Sequence, residues 1–292
     1  MSTLPWWIYA LYVSFGNAIR SNLNSHYKAD GVRARLWSSF VGAVLLSPAL
    51  FLAQWPSNIE FYLSLAVVCG LSSMLSVKLL DLSARYGGPV ATLSRPFHVF
   101  FSFFLWGVIV FDETIEMMSD PFVAVGVIAA FLLASAAQFS MYKNGLDIKQ
   151  ALRELIIVAA GGAVMAVVVK YGMLFTDHFM QILLWVCLTQ SGVFVLSCIR
   201  ARLRYPVAEI CDRHIMKAGT VMGVMNAAVI PVLILSLKLT PNPAFTSMIF
   251  MLATVWLMVY YKIRGQDARV KPVQIAMLLF AAVLLIASTN KI

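Results

Sequence analysis

Charged residues are scarce in this chain. Of its 292 residues only 12% are charged, whereas 61% are apolar, and the mean hydropathy is +0.85. A soluble globular protein cannot bury so much apolar surface. The composition therefore excludes a soluble fold and predicts an integral membrane protein.

Cysteine is also scarce, and its spacing indicates no metal site. The four cysteines form no CxxC pair, and Cys69, Cys187 and Cys198 lie inside apolar stretches, where cysteine behaves as a small hydrophobic residue. We therefore predict no disulfide framework, no metal and no other cofactor.

Motifs for catalysis and for nucleotide binding are absent as well. The sequence has no GxxxxGK[ST] phosphate loop, no zincin or serine-hydrolase motif, and no clustered acid, histidine or cysteine set. We predict that the protein is not an enzyme and does not use ATP. The net charge of +9 comes from basic residues in short segments between apolar stretches, so we expect no nucleic-acid partner.

Ten apolar stretches are long enough to cross a hydrocarbon core of about 30 Å. Long unbroken apolar runs favour helices over a membrane barrel. The predicted fold class is an all-α membrane protein with ten transmembrane helices. The predicted spans cover approximately residues 5–25, 34–54, 60–84, 89–111, 121–141, 152–173, 179–199, 215–237, 243–261 and 272–289.

Two loops at equivalent places in the chain carry opposite charge. Segment 111–120 holds four acidic residues and no basic one, whereas segment 262–271 holds four basic residues and one acidic one. Loop charge indicates the side of the membrane on which a loop lies. We therefore predict two five-helix repeats, residues 1–142 and 143–292, of which the second is inverted. Inverted repeats are typical of secondary transporters.

The basic loops also predict the orientation. If both termini lie outside, the cytoplasmic loops hold sixteen basic and six acidic residues, and the outer segments hold two basic and six acidic ones. This distribution satisfies the positive-inside rule. We predict an integral protein of the bacterial inner membrane with its N-terminus and C-terminus outside.

Polar side chains within the spans mark the candidate site. Placing a charged side chain at the centre of a membrane helix costs about 2.5–3.5 kcal/mol, so such residues are candidates for function. The first span has a polar stripe at helical spacing, and the third and fourth spans carry charged residues one turn apart. We predict two groups of site residues. The substrate-binding residues are Asn17, Arg20, Lys78, Arg95, Gln190 and Asn226, and the proton-coupling residues are Asp81 and His98.

Structural roles are open alternatives for these residues. Arg20 lies close enough to a span end to snorkel to the headgroups. Lys78 and Asp81 could neutralise each other, and His98 could be a packing residue on its aromatic-rich helix. The two amide side chains of the second half could bridge neighbouring helices.

The charges within the spans are mostly positive. Four basic residues stand against one acid, Asp81, so we expect an anionic or zwitterionic substrate that an arginine can hold through two hydrogen bonds. Asp81 can exchange protons, and histidine has an ordinary pKa near 6.5. The four basic residues are Arg20, Lys78, Arg95 and Lys170.

Three sequence features carry a family resemblance: Ala84-Arg85-Tyr86, Pro96 inside the fourth span, and the acid pair Asp112-Glu113 that closes it. With them the chain resembles the drug/metabolite transporter superfamily and, within it, the EamA-like ten-helix carriers. The resemblance implies a secondary carrier of small polar metabolites, commonly an exporter, with a central cavity. In the second half Phe250 or a neighbour stands where a proline would repeat Pro96, so a helix break in the ninth span is not expected.

The sequence thus predicts a secondary active transporter, an exporter or exchanger of small polar metabolites, amino acids or organic anions. It would work by alternating access of two inverted repeats, as a monomer or homodimer among membrane lipids. A lipid-linked phosphate or lipid translocase of the same fold is one alternative. A non-transporting membrane scaffold or sensor is another.

Overall fold

The computed structural model describes residues 4–86, 94–142, 148–265 and 271–289, which form helices and no strands. Each of the ten predicted spans overlaps at least one helix within these ranges, although those at 34–54 and 243–261 are interrupted. The helices are α1 (Trp6–Tyr27), α2 (Gly31–Leu46), α3 (Ala49–Leu52), α4 (Ile59–Tyr86), α5 (Arg95–Ile109), α6 (Phe111–Ser119), α7 (Pro121–Tyr142), α8 (Ile148–Met173), α9 (Phe179–Arg204), α10 (Val207–Ile210), α11 (Arg213–Leu239), α12 (Pro243–Ile249), α13 (Ala253–Ile263) and α14 (Pro272–Thr289).

Seven helical segments in the described ranges are long and apolar enough to cross a membrane, and the bent pair α5 and α6 would make an eighth. They indicate an all-α membrane protein. Two predicted spans fall short of that measure for separate reasons. Helix α1 carries the polar stripe that includes Asn17 and Arg20, and α2 ends after 16 residues, just before Ser47-Pro48.

The acidic segment 111–120 is more ordered than the predicted loop. Residues Phe111–Ser119 form α6, which bends by 112° from the axis of α5. Asp112 and Glu113 lie in its first turn, where negative charge stabilises the exposed N–H groups of a helix. The acids that suggested a loop therefore favour a short helix.

The ninth span departs from the sequence expectation. A 3₁₀ turn, Phe250–Leu252, interrupts the helix between α12 and α13 without any proline there. Residues 242–255 are all buried. The change from α-helix to 3₁₀ helix thus lies where the chain is packed on every side, and no proline or glycine in the turn explains it.

Helix α2 packs on α9 and α11. Gly219 and Gly223 let α11 approach it closely, since a Cβ at these positions would lie 2.3 Å from Trp37 Cβ and 2.7 Å from Val41 Cβ. Such close contact between helices is typical of a GxxxG pair. The other main contacts are α1 with α11, α4 with α8 and α9, α5 with α8 and α12, α1 with α12 and α13, and α7 with α14.

Polar contacts tie the first turns of α2 to the segment between α9 and α11. Trp37 Nε1 donates to the Ile210 carbonyl at 2.8 Å, and the Tyr205 hydroxyl donates to the Asp30 carboxylate at 2.9 Å. Burial and this hydrogen bond raise the pKa of Tyr205. These contacts fix the end of α2 from which Arg35 projects.

Candidate functional site

A cavity of about 200 Å³ lies at the centre of the helix bundle. Residues of α1, α2, α4, α5, α8, α9, α11 and α12 line it, together with Phe250 of the 3₁₀ turn. No described residue of α7 or α14 reaches it. Each face of the cavity thus comes from a different helix, which lets distant parts of the sequence meet.

Three arginines line one end of this cavity: Arg20 from α1, Arg35 from α2 and Arg95 from α5. We call them the arginine cluster. Arg35 is only 3% exposed, and its Nη2 donates to the Ser72 hydroxyl at 3.0 Å, while its Nε is buried without a partner. The Arg95 guanidinium carbon lies 5.5 Å from the centroid of the Phe250 ring.

The arginine cluster has no counter-charge in the described part of the chain. The positive charge of Arg20 acts unfavourably on both Arg35 and Arg95. No aspartate or glutamate is among the described lining residues. The ion pairs found between described residues both involve Arg33, which does not line the cavity.

Uncharged polar groups beside the cluster also lack partners. His98 Nδ1, Thr189 Oγ1 and Gln190 Oε1 are buried and make no hydrogen bond, although their residues line the cavity. The His98 ring packs against Gly162 and occupies the space where a Cβ of that glycine would lie. Leaving such a group unsatisfied costs about 1–3 kcal/mol, so a polar ligand or water is expected here.

Another side of the cavity wall is apolar. Trp185 and Val186 of α9, Val68 of α4, and Ile234 and Leu237 of α11 all line it and belong to one buried hydrophobic cluster. We call this side the apolar half. The change is sharp along single helices: on α9, Trp185 and Val186 are followed within one turn by Thr189 and Gln190.

The structure brings most of the predicted site residues together. Five of the eight line the cavity, and they come from three helices, two in the first half of the chain and one in the second. Three of the eight are not among its lining residues. The five are Asn17, Arg20, Arg95, His98 and Gln190; the three are Lys78, Asp81 and Asn226.

These three residues lie elsewhere in the bundle. The Asp81 carboxylate accepts from the Gly31 backbone N–H at 3.1 Å and so stabilises the N-terminus of α2. Lys78 is partly buried and does not pair with it. Asn226 is buried in α11 with Oδ1 unpaired. Their roles in substrate binding and proton coupling stay predictions.

Lys170, one of the four basic residues within the spans, is not among the residues that line the cavity. Its Nζ donates to the carbonyls of Leu237, at 3.3 Å, and Thr240, and lies 5.0 Å from the centroid of the Trp106 ring. The C-terminal carbonyls of α11 thus hold this charge.

Sequence reasoning missed Arg35 as a site residue. Arg35 stands at the start of the second apolar stretch, where a basic residue is typical of a loop. In the structure α9 and α11 pack on α2, and Arg35 is buried. The sequence signal for a polar site here is the pair Ser38 and Ser39, which extends the polar segment into the span. In the structure the hydroxyls of both serines donate to the Arg35 carbonyl.

The described residues include no group of three or more His, Cys, Asp or Glu side chains that could hold a metal ion. The candidate site consists of the arginine cluster, the uncharged polar groups beside it and the apolar half.

No protein-family model matches the sequence, and no curated protein matches it. The fold does have solved counterparts. One is described only as "Crystal structure of protein": it is 11% identical, the match covers 96% of this chain and 98% of that chain, and the TM-score is 0.63. At this identity the likeness shows the fold alone, and it extends over nearly the whole chain.

Proposed function

We propose that the protein is a secondary active transporter of small organic anions and related polar metabolites, working as an exporter or exchanger in the bacterial inner membrane. The observation that carries this proposal is the arginine cluster. Three arginines from three helices surround one cavity between long apolar helices and have no acidic partner in the described chain. Charged groups placed this way in membrane proteins mark substrate pathways.

The surroundings of the cluster argue against a purely structural role. An arginine at the centre of a membrane helix costs about 2.5–3.5 kcal/mol on the insertion scale. A structural arginine offsets that cost with an ion pair or several carbonyls, whereas the contacts of the cluster are Ser72 for Arg35 and the Phe250 ring for Arg95. An anionic ligand would supply the missing interactions.

The helix contacts support two inverted five-helix repeats. We propose that α1, α2, α4, α5 with α6, and α7 correspond to α8, α9, α11, α12 with α13, and α14. Exchanging the two sets maps the contact of α1 with α11 onto that of α8 with α4, and the contact of α5 with α8 onto that of α12 with α1. The cavity takes four helices from each set, as expected for a site at a repeat interface.

Alternating access would rock one repeat against the other around the cavity. In the proposed orientation the arginine cluster lies toward the cytoplasm. The opposite end is held by Lys170, which joins α8 to the end of α11, and by Lys238 of α11, whose Nζ donates to Thr176 after α8. These lysine contacts would break when that end opens.

Transport by purified protein tests the proposal. Liposomes containing the protein are loaded with a defined mixture of amino acids, organic acids and sugar phosphates, and the loss of each compound is followed by mass spectrometry. We expect at least one anionic compound to leave faster than from protein-free liposomes, and Arg95→Gln to abolish the difference. Equal loss of every compound from both kinds of liposome would contradict the proposal.

A lipid-linked phosphate translocase is the second candidate, and the apolar half of the cavity favours it. A headgroup phosphate could bind the arginine cluster while an alkyl chain leaves along the apolar wall. In that case the soluble mixture would not move, but a fluorescent lipid phosphate would cross between leaflets only in liposomes that contain the protein.

A further inference from the structure

The charge of the cavity restricts what can bind there. A guanidinium stays protonated in proteins, so the three charges of the arginine cluster persist when the cavity is empty. A zwitterionic amino acid would bring a carboxylate, but its ammonium would lie near the same cations, and no acidic side chain is among the described lining residues to receive it. One group with two negative charges would satisfy two or more arginines at once.

The apolar half restricts the other end of the ligand. Val68, Met165, Val169, Trp185, Ile234 and Leu237 all line the cavity and pack in one hydrophobic cluster. Inorganic phosphate or a sugar would leave this wall facing water. An alkyl or aryl group would bury it, and burying apolar surface favours binding.

The two halves adjoin within a single small space. On α4, Val68 belongs to the hydrophobic cluster, and Ser72, one turn later, bonds to Arg35. The volume of about 200 Å³ is below the 300–1,000 Å³ that is usual for drug-sized ligands. The ligand is therefore a small molecule whose charged and apolar ends lie close together.

We propose that the cavity binds a small organic dianion with an apolar body, such as an aryl or short alkyl phosphate. The arginine cluster holds the dianionic group, and the body lies against Trp185 and its neighbours. This assignment deepens the proposed transport function and rests on it for its biological meaning.

Binding to purified protein in detergent tests the ligand class without any need for transport. Phenyl phosphate is the probe, at pH 8, where a phosphate monoester with a second pKa of about 6 is dianionic. Three matched compounds each remove one feature: phenylacetate has one charge, phenylalanine is zwitterionic with the same ring, and inorganic phosphate has no apolar body. Isothermal titration calorimetry gives each Kd.

We expect phenyl phosphate to bind at least about tenfold more tightly than each of the three. Arg35→Gln and Arg95→Gln should each weaken it, Arg95→Lys should weaken it less, and Arg202→Gln, an exposed arginine of α9, should not change it. Melting curves without ligand identify any variant that does not fold. If a glutamine variant does not fold, Arg95→Lys, which keeps the positive charge, takes its place in the binding test.

Several outcomes overturn the assignment. If phenylalanine or phenylacetate bound as tightly as phenyl phosphate, the ligand would not need two negative charges. If inorganic phosphate bound equally well, the ligand would not need an apolar body. Absence of phenyl phosphate binding would refute a soluble ligand, and dodecyl phosphate binding in its place would support the same headgroup chemistry on a lipid.

Liposome flux separates this inference from the proposed function. Binding of phenyl phosphate without any flux would contradict the transporter and leave the ligand class intact. Flux of zwitterions with no preference for dianions would contradict the ligand class and leave the transporter intact.

Discussion

Two sets of cations within the helices lie toward opposite ends of the same bundle and are held in opposite ways. Lys170 is surrounded by acceptors, since two carbonyls at the end of α11 receive its hydrogen bonds and an indole ring lies beneath it. Arg20, Arg35 and Arg95 face a cavity and one another instead. A buried cation with its partners in place belongs to the fold, whereas a group of cations without partners needs a ligand.

The largest expected effect is on transport in Arg95→Gln. A hydrogen bond to a charged group contributes about 1.5–3 kcal/mol, so ligand affinity and flux at low substrate should fall by about 10–100-fold. The melting temperature without ligand should stay close to that of the parent, because Arg95 has no counter-charge to lose. Flux and thermal melting are measured on the same preparation.

Arg202→Gln is the matched control for this change. It removes the same charge from an exposed position of α9, outside the cavity, and should leave both flux and melting unchanged. If the two variants lost flux to the same extent, net charge rather than the cavity would explain the loss.

Lys170→Met should show the reverse pattern. It leaves the carbonyls of Leu237 and Thr240 without their buried donor, which should destabilise the protein by about 1–3 kcal/mol. Anion affinity should not change. Thermal melting measures the loss of stability, and titration of the folded protein measures the anion affinity. A variant that keeps its stability but loses anion affinity would place Lys170 in the binding site.

Lys238→Met should have a similar but smaller effect of about 1 kcal/mol. This lysine is only partly buried, and both of its bonds go to one residue, Thr176, so water can replace part of what is lost. A larger loss of stability than in Lys170→Met would contradict the ranking by burial.

Gly162→Ala should have the smallest effect. The new methyl would lie 2.8 Å from His98 Cδ2, so the ring must shift at the cavity wall, and we expect a few-fold change in affinity with little change in stability. Gly70→Ala is the control in open space, where helix propensity alone should stabilise by about 0.5–1 kcal/mol. Equal affinity in both variants would show that the position of His98 does not matter for binding.

The sequence was sufficient to predict most of the architecture. The predicted spans overlap helices because long apolar runs bounded by proline and polar residues leave few alternatives, and seven of the helical segments in the described ranges are long and apolar enough to cross a membrane. The 3₁₀ turn at Phe250–Leu252 escaped prediction since it lies in a segment buried on every side, with no local breaker. The helix α6 escaped because acidic residues suit both a loop and a helix N-terminus.

The site was predictable where a polar residue interrupts an apolar run. Arg20 and Arg95 stand out in this way, and both line the cavity. Arg35 lies at the start of a run, where position along the sequence does not distinguish a boundary charge from a buried one. Asp81 also lies within a span, but it does not line the cavity, and its carboxylate bonds to the N-terminus of α2; its predicted role in proton coupling stays a prediction. Only packing between distant helices separates these cases.

The most direct test of the unpartnered arginines is a thermal melting measurement on the parent protein and on the Arg35→Gln/Arg95→Gln double variant, each with and without phenyl phosphate. The account predicts similar melting temperatures without ligand and a rise on adding phenyl phosphate in the parent alone. A double variant that melts far lower without ligand, or a parent that does not respond, would contradict it.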